Sequence, residues 1–321
     1  MSVAMIDVIV PNYNGRAHLE ICLAALQRQT RHADMRVTVV DDASSDDSVA
    51  FVRTNYPEVQ LLVLPHNQGF VAACNAAIAA TTGEYVVLLN NDTEVTPVWL
   101  AELIGALESH PEYAFAASKL MLFDRRTIIH SAGDFYRIDG IPGNRGVWQA
   151  DAPQFQQPQE VFGPCAGAAA YRRSALNQLA VAGDVFDRDL GMYCEDVDLN
   201  LRARLHGLRT IFVPTAIVYH RLSATGGGAL ASFYCGRNFP LVWLKNIPAP
   251  LFRRYIWIML WRQIQIFADA TWHIRGQAAR ARLRGQLAAW GHVRQFLAKR
   301  TQIPTPVDST KMMLLMGSEE V

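Results

Sequence analysis

Residues 85–89 read Tyr-Val-Val-Leu-Leu, with no polar side chain at either parity, and the run stops at Asn90, Asn91 and Asp92. A strand without a polar face has to be covered on both sides, the situation of a mostly parallel sheet between two layers of helices. The same arrangement recurs upstream. Residues 6–10 are largely apolar and close on Pro11-Asn12-Tyr13-Asn14-Gly15, after which Leu19, Cys22, Leu23 and Leu26 follow at helical spacing. Residues 37–40 run into Asp41-Asp42-Ala43-Ser44-Ser45-Asp46-Asp47, whose short polar side chains suit a turn and the N-cap of a helix reaching about Asn55. Residues 61–64 supply a third strand and 70–80 an alanine-rich helix able to lie close on a sheet. Pro97 then opens a helix to about Ser109 in the first-turn position that proline favours. Strand and helix alternating four times predict an α/β, doubly wound, mostly parallel sheet. Ligands of such sheets collect at the carboxyl ends of the strands, where Asp41, Asp42 and Asp92 stand.

A chain of 321 residues can build one such domain and an appendage without disulfides. Its five cysteines, at 22, 74, 165, 194 and 235, contain no C-x-x-C pair, so reduced, metal-free thiols and a cytosolic setting are expected. Residues 1–10 have no basic stretch and only a short apolar run, which reads as a first strand and not as a signal peptide. The first strand-helix turn offers only Gly15, so the dinucleotide fingerprint is absent, and no G-x-x-x-x-G-K-[ST] occurs. What those turns offer instead is an aromatic ring and carboxylates. Tyr13 can stack on a base and an aspartate can accept from a pyrimidine ring N–H, although Asp41-Asp42 also suits a plain turn.

Past about Met121 the alternation stops. Residues 124–159 are rich in glycine, proline and glutamine, and so long a loop in a compact domain is expected to be a lid or a binding segment. The glycine-bearing segment 161–172 then enters a strand, with small residues that let a ligand approach the backbone. Cys194-Glu195-Asp196-Val197-Asp198 sets three carboxylates at the start of a helix that Val197, Leu201, Leu205 and Leu208 bury on one face. Acidic residues there gain about 0.3–1 kcal/mol each from the helix dipole, a purely structural benefit. Crowded carboxylates also repel, which raises a carboxyl pKa and suits a general base near neutral pH. Residues 210–220 form a strand ending on His220, either an ordinary strand-end histidine or, on the same strand-end face, a metal or diphosphate contact.

Together these segments resemble the glycosyltransferase family 2 enzymes of GT-A fold, and among them the rhamnosyltransferase-like members of bacterial surface polysaccharide synthesis. The resemblance rests on Val8-Ile9-Val10-Pro11-Asn12-Tyr13-Asn14-Gly15, Val39-Val40-Asp41-Asp42-Ala43-Ser44-Ser45-Asp46, His66-Asn67-Gln68-Gly69-Phe70 with Asn75, Leu88-Leu89-Asn90-Asn91-Asp92-Thr93, Glu195-Asp196-Val197-Asp198-Leu199 with Arg202, and His220, with Arg237-Asn238 and Lys245-Asn246 closing it. It implies that Pro11, Tyr13 and Asp42 hold the nucleoside and that Asn67 and Gly69 line the nucleotide-sugar pocket. The family's D-x-D-type element falls on Asn90-Asn91-Asp92: Asp92 would meet a Mg2+ or Mn2+ ion together with His220, and Asn91 the ribose. An amide at that middle position departs from the acidic pattern and weakens metal binding. Asp196 would be the catalytic base, Glu195 and Asp198 would orient it or touch the acceptor, and Gly167 would lie near the sugar and acceptor. The implied reaction is an inverting, metal-dependent sugar transfer from a nucleoside-diphosphate sugar, dTDP-rhamnose by subgroup likeness, to a saccharide or lipid-linked saccharide.

Two other classes use similar parts. A sugar-1-phosphate nucleotidyltransferase needs a glycine-rich activating loop that residues 10–16 lack, and a non-catalytic nucleotide-sugar binding module has no use for the carboxylates of 195–198. The net charge of +1 conceals a cationic last part, where residues 237–300 carry many arginines and lysines against a single carboxylate, Asp269. Residues 255–261 are apolar but too short to span a bilayer, which takes roughly 20 residues. Leu283, Leu287, Trp290 and Leu297 share a face with arginines elsewhere, the pattern of a basic amphipathic helix lying in a membrane interface. Packing on the catalytic domain or on a second copy in a homodimer is the alternative, and no nucleic-acid motif accompanies the charge. The expected organisation is a GT-A domain over 1–246, a basic helical extension over 247–300 and a disordered tail over 301–321, working in the cytoplasm at the inner face of the membrane.

Overall fold

A computed structural model describes residues 5–222 and 228–302. In chain order its elements are β1 (Ile6–Asn12), α1 (Arg16–Gln27), β2 (Met35–Asp41), α2 (Ser48–Asn55), β3 (Gln60–Val63), α3 (Phe70–Ala80), β4 (Tyr85–Leu89), β5 (Thr93–Val95), α4 (Trp99–Ser109), β6 (Tyr113–Leu122), β7 (Arg125–Ser131), β8 (Asp134–Tyr136), β9 (Pro142–Asn144), β10 (Gln159–Val161), β11 (Ala168–Arg172), α5 (Arg173–Leu179), α6 (Glu195–Leu205), β12 (Arg209–His220), α7 (Ala229–Asn246), α8 (Ala249–Trp272) and α9 (Gln277–Ala298). The sheet order is β10-β12-β6-β11-β4-β1-β2-β3, with β5 on β12 and β7 on β6. β4, β1, β2 and β3 run parallel, as does β12 with β6, whereas β11 lies antiparallel between β4 and β6. This is the doubly wound, mostly parallel α/β architecture expected, with a C-terminal helical extension.

The absence of a polar face on the central strands has its explanation in two separate cores. Val8 and Val10 of β1 and Val87 and Leu89 of β4 pack with Leu19, Leu23, Trp99 and Leu103 on one side. Ile9, Val86 and Leu88 point the other way, onto Val71, Cys74, Phe115 and Tyr171. Burying one such aliphatic side chain contributes about 1.5–3 kcal/mol, so each polar substitution in these strands would be costly on either parity.

Two expectations need correction. Segment 124–159 is not a structureless loop. It contains β7, the β8–β9 hairpin and the start of β10, and buries Ile129, Ala132 and Phe155 against Phe212. Its strands are only three residues long apart from β7, too short to leave a periodic pattern, and they are held by tertiary partners. α6, for its part, is buried nearly all round and not on one face. Arg202 and Arg204 sit inside because their guanidinium groups are satisfied: Arg202 donates to Asp198, Leu179 O and Val185 O, and Arg204 to Glu160, Phe162 O and Val161 O.

The helical extension as packed begins with α7. A Cβ on Gly236 would come within 2.6 Å of Arg282 O and one on Gly285 within 2.0 Å of Phe233 O, so α7 and α9 cross with their backbones nearly touching. α7 also grips the catalytic half, since Lys245 and Asn246 at its end bond Asp198 of α6. The expected disordered tail lies, from residue 303 onward, outside the described residues.

Candidate active site

The carboxyl ends of β1, β2 and β4 carry the nucleotide-type residues, and a chain of amides ties them together. Asn12 donates to Asp41 Oδ2 at 2.8 Å and accepts from Asn91 Nδ2 at 2.7 Å; Asp41 also takes the Ser44 backbone N–H and hydroxyl at 2.8 and 2.7 Å. Gly15 makes room for this: a Cβ there would stand 2.2 Å from Asn91 Nδ2. Asp42 is buried and accepts from the backbone N–H groups of Gln68 and Gly69 at 2.7 and 2.8 Å. It thus pins the 66–69 loop, with Gly69 at φ +86°, beside the first two strand ends. Tyr13 is 48% exposed, its ring free to meet a base, while Pro11 is buried and Asn67 lies on the exposed part of the loop. Asn14 and Ala43, in the two turns, have φ of 50° and 59°. Backbone strain of that kind costs about 1–3 kcal/mol per residue and clusters at functional sites.

β5 was not anticipated, and it builds the second corner. It pairs antiparallel with β12 in a register that sets Thr93 opposite His220, so the side chains of Asp92 and His220 meet. His220 Nε2 stands 3.1 Å from Asp92 Oδ1, a buried oxygen with no hydrogen bond of its own. The other ring nitrogen, Nδ1, lies 2.9 Å from Nδ1 of His130 on β7. Burial, and then His220, hold the His130 pKa down to about 3, so at pH 7 His130 is neutral and adds no positive charge to the corner. When His220 donates through Nδ1, its Nε2 lone pair faces the carboxylate oxygen. In that tautomer the two acceptors would share a cation; in the other, Nε2–H donates to Asp92 Oδ1.

Among the described residues no group of three or more His, Cys, Asp or Glu could enclose a metal. Mg2+ and Mn2+ held mainly by substrate phosphates need only one or two protein ligands, and Asp92 with His220 fits that demand. The orphaned Asp92 Oδ1 carries the fit.

The third group stands at the start of α6. Tyr193 and Cys194 take the left-handed φ values of 61° and 68° immediately before it, which aims its first turn. Burial, and then the charge of Asp196, push the Glu195 pKa up to about 8, and Glu195 Oε2 has no partner. Burial also raises Asp196, against the pull of the Ala166 and Val197 N–H groups at 3.2 and 2.8 Å. Asp134 of β8, buried and bonded to Asn144 at 2.8 Å, is pushed well above the carboxylate range by burial and by Asp196. Gly167 is buried next to this cluster, its carbonyl accepting from Asn90 N–H at 2.9 Å, and a Cβ on it would lie 3.3 Å from Asn90 Nδ2. Burial first, then Cys235, Glu195 and Asp92, raise the Tyr193 phenol to about 12, so this side chain senses both Glu195 and Asp92.

Asp198 is not part of that group. Fully buried, it is bonded to Lys245, Arg202 and Asn246 at 2.8–3.0 Å. Burial opposes its charge, but Lys245 and Arg202 prevail and hold its pKa well below the usual range. With both oxygens so engaged, it serves to join α6 to α7. Asn12, His130 and Asp134 join these groups through Asn91, His220 and Asp196, and the sequence reading assigned them no role. Asn12 lay within the quoted first turn, whereas His130 and Asp134 fall in short strands without any local signal.

Residues 7–180 match the family model for Glycosyl transferase family 2. The chain belongs to that family. It is 28% identical over 244 residues to the Pre-mycofactocin glycosyltransferase of Mycobacterium tuberculosis (strain CDC 1551 / Oshkosh), covering 74% of this chain and 47% of that protein. It is 26% identical over 298 residues to the N-acetylglucosaminyl-diphospho-decaprenol L-rhamnosyltransferase of the same organism, covering 86% and 91%. The chain spans about half the length of the first of these relatives. The crystal structure of GalNAc-T7 with UDP, GalNAc and Mn2+ superposes with a TM-score of 0.61 over 75% of this chain and 48% of that one. At 15% identity that likeness speaks for the GT-A-like fold of this family 2 chain.

Proposed function

We propose that this family 2 chain is an inverting, metal-dependent glycosyltransferase that moves a sugar from a nucleoside-diphosphate donor to a hydroxyl of a saccharide or lipid-linked saccharide. The observation that carries the reading is a pair of features: the buried Asp92 Oδ1 beside His220 Nε2, and a buried Glu195-Asp196 pair of raised pKa at the start of α6. We take rhamnose, from dTDP-rhamnose, as the donor, a reading that the rhamnosyltransferase relative, aligned over 91% of its length, supports for the sugar.

Tyr13 stacks on the base, Asp42 receives the pyrimidine N–H while ordering the 66–69 loop, and Asn91 meets the ribose. Asp92 and His220 would hold Mg2+ or Mn2+, which when bound offsets the charge growing on the leaving diphosphate. Asp196 accepts the proton of the acceptor hydroxyl as that oxygen bonds to the anomeric carbon. The bond from that carbon to the diphosphate breaks on the opposite face, which inverts the configuration. Glu195, protonated at neutral pH, adds no second negative charge beside the base and can donate a hydrogen bond to the acceptor. No described helix is long and apolar enough to cross a membrane, and we place the chain peripherally on the cytoplasmic face, where a lipid-linked acceptor would be met.

A thermal-shift panel of nucleotide sugars with and without Mg2+ or Mn2+ tests the donor, since a true ligand stabilises the folded state by mass action. In Asp92→Ala the metal dependence of nucleotide-sugar binding should vanish in calorimetry; an unchanged metal titration would remove Asp92 from the site.

A further inference from the structure

We infer that the outward face of α8 is a docking surface for an anionic lipid bilayer. It rests on the peripheral membrane placement proposed above and names the surface that achieves it. α8 packs on the rest of the chain through Leu251, Met259 and Ala270. A helix packed that way normally turns a mainly polar face to water, whereas α8 sets large apolar side chains there beside Arg254, Gln265 and Asp269. At 3.6 residues per turn Trp257, Ile258, Trp261, Ile264 and Trp272 fall within about a third of its circumference. Trp257 is 75% exposed, Trp261 61% and Trp272 86%. From Trp257 to Trp272 this face runs about 22 Å along the helix, long enough to lie flat on a surface.

The charges around it indicate which surface. Arg253 and Arg254 stand exposed at one end of α8, Arg275 beyond the other, and Arg280, Arg284 and Arg294 are exposed on α9. The single carboxylate of the hairpin, Asp269, is already beside His273 at 3.3 Å. Lys299 and Arg300 are engaged inside, on Asp187, Asp189 and the carbonyls of Leu244 and Ile247, so they do not add to the exposed charge. Tryptophan with arginine is the composition of a membrane interface: the indole reaches the acyl boundary while the guanidinium group stays among phosphates. A protein partner covering the same face would have to accept the exposed Arg253 and Arg254 of the same helix, whereas an anionic leaflet supplies that charge everywhere.

The full chain is sedimented with vesicles of phosphatidylcholine alone and of phosphatidylcholine mixed with phosphatidylglycerol, at low and high salt, with no donor or acceptor present. The wild type should co-sediment with the anionic vesicles, less so at high salt, with a blue shift of tryptophan emission. Trp257→Ser/Trp261→Ser should lower partitioning at least about tenfold while keeping the wild-type thermal midpoint. Arg253→Gln/Arg254→Gln should weaken binding and flatten its salt dependence. Failure of the wild type to bind either vesicle would overturn the membrane placement itself. Equal binding by the wild type and the tryptophan variant would leave that placement standing and refute this surface. A wild-type dimer that becomes a monomer in the tryptophan variant, by light scattering, would assign the face to a second copy of the chain.

Discussion

Glu195→Gln should make the protein more stable, increasingly so as pH rises. A glutamate with an unfolded pKa near 4.5 and a folded pKa of about 8 must take up a proton on folding anywhere between those values. Below pH 4.5 this is free of cost; as pH rises toward 8 the folded state loses the benefit, so stability falls with pH across that window. At pH 7 the difference of 2.5 units amounts to about 3 kcal/mol, and above pH 8 it levels off near about 5 kcal/mol. Glutamine of the same shape needs no proton. Urea denaturation of the metal-free protein at several pH values from 5.5 to 8.5 reads the effect directly. The variant should gain about 1 kcal/mol at pH 5.5 and roughly three times that or more at pH 8, with a flatter pH dependence. Equal stability at pH 8, or parallel pH profiles, would refute the argument that burial and Asp196 keep this carboxyl protonated. Turnover near neutral pH should stay close to wild type in the same variant, because the amide is also uncharged and can also donate a hydrogen bond to the acceptor.

Asp196→Asn should lower turnover at least about 100-fold while donor affinity in calorimetry stays close to wild type; near-normal turnover would remove Asp196 as the base. Lys245→Met leaves the fully buried Asp198 short of one cation, so unfolding free energy should drop by about 3–5 kcal/mol in denaturant titrations, with Asp198→Asn comparably unstable. Gly15→Ala should push apart the Asn12-Asn91 amide pair. Losing that buried hydrogen bond costs about 1–3 kcal/mol, and nucleotide-sugar affinity should fall more than the stability loss explains. Wild-type affinity in that variant would disconnect the amide pair from donor binding.

The doubly wound sheet was legible because its central strands carry the signature themselves. Residues 85–89 have to be covered on both sides wherever they lie, and the turns after 10, 40 and 89 announce where a ligand would sit. Short strands were not legible: β8, β9 and β10 have three residues each, and pairing partners far along the chain are what make them strands. The three carboxylates of 195–198 illustrate the same limit within one motif. Their crowding and a raised pKa could be read from spacing, but spacing does not say which side of a helix meets a lysine some fifty positions away. Lys245 takes Asp198 out of the group, and Asp134, from a strand with no local signal, stands beside Asp196 in its stead.

The sequence by itself therefore determined the layer architecture, the strand ends at which chemistry collects, and the residue types available there, since each follows from local periodicity and turn composition. The division of labour came from packing: Asp92 and His220 meet through the β5–β12 register, His130 backs His220, and α8 turns tryptophans outward. Those outcomes depend on which distant groups come within a few ångströms of one another, and burial and charge act at that range and not along the chain.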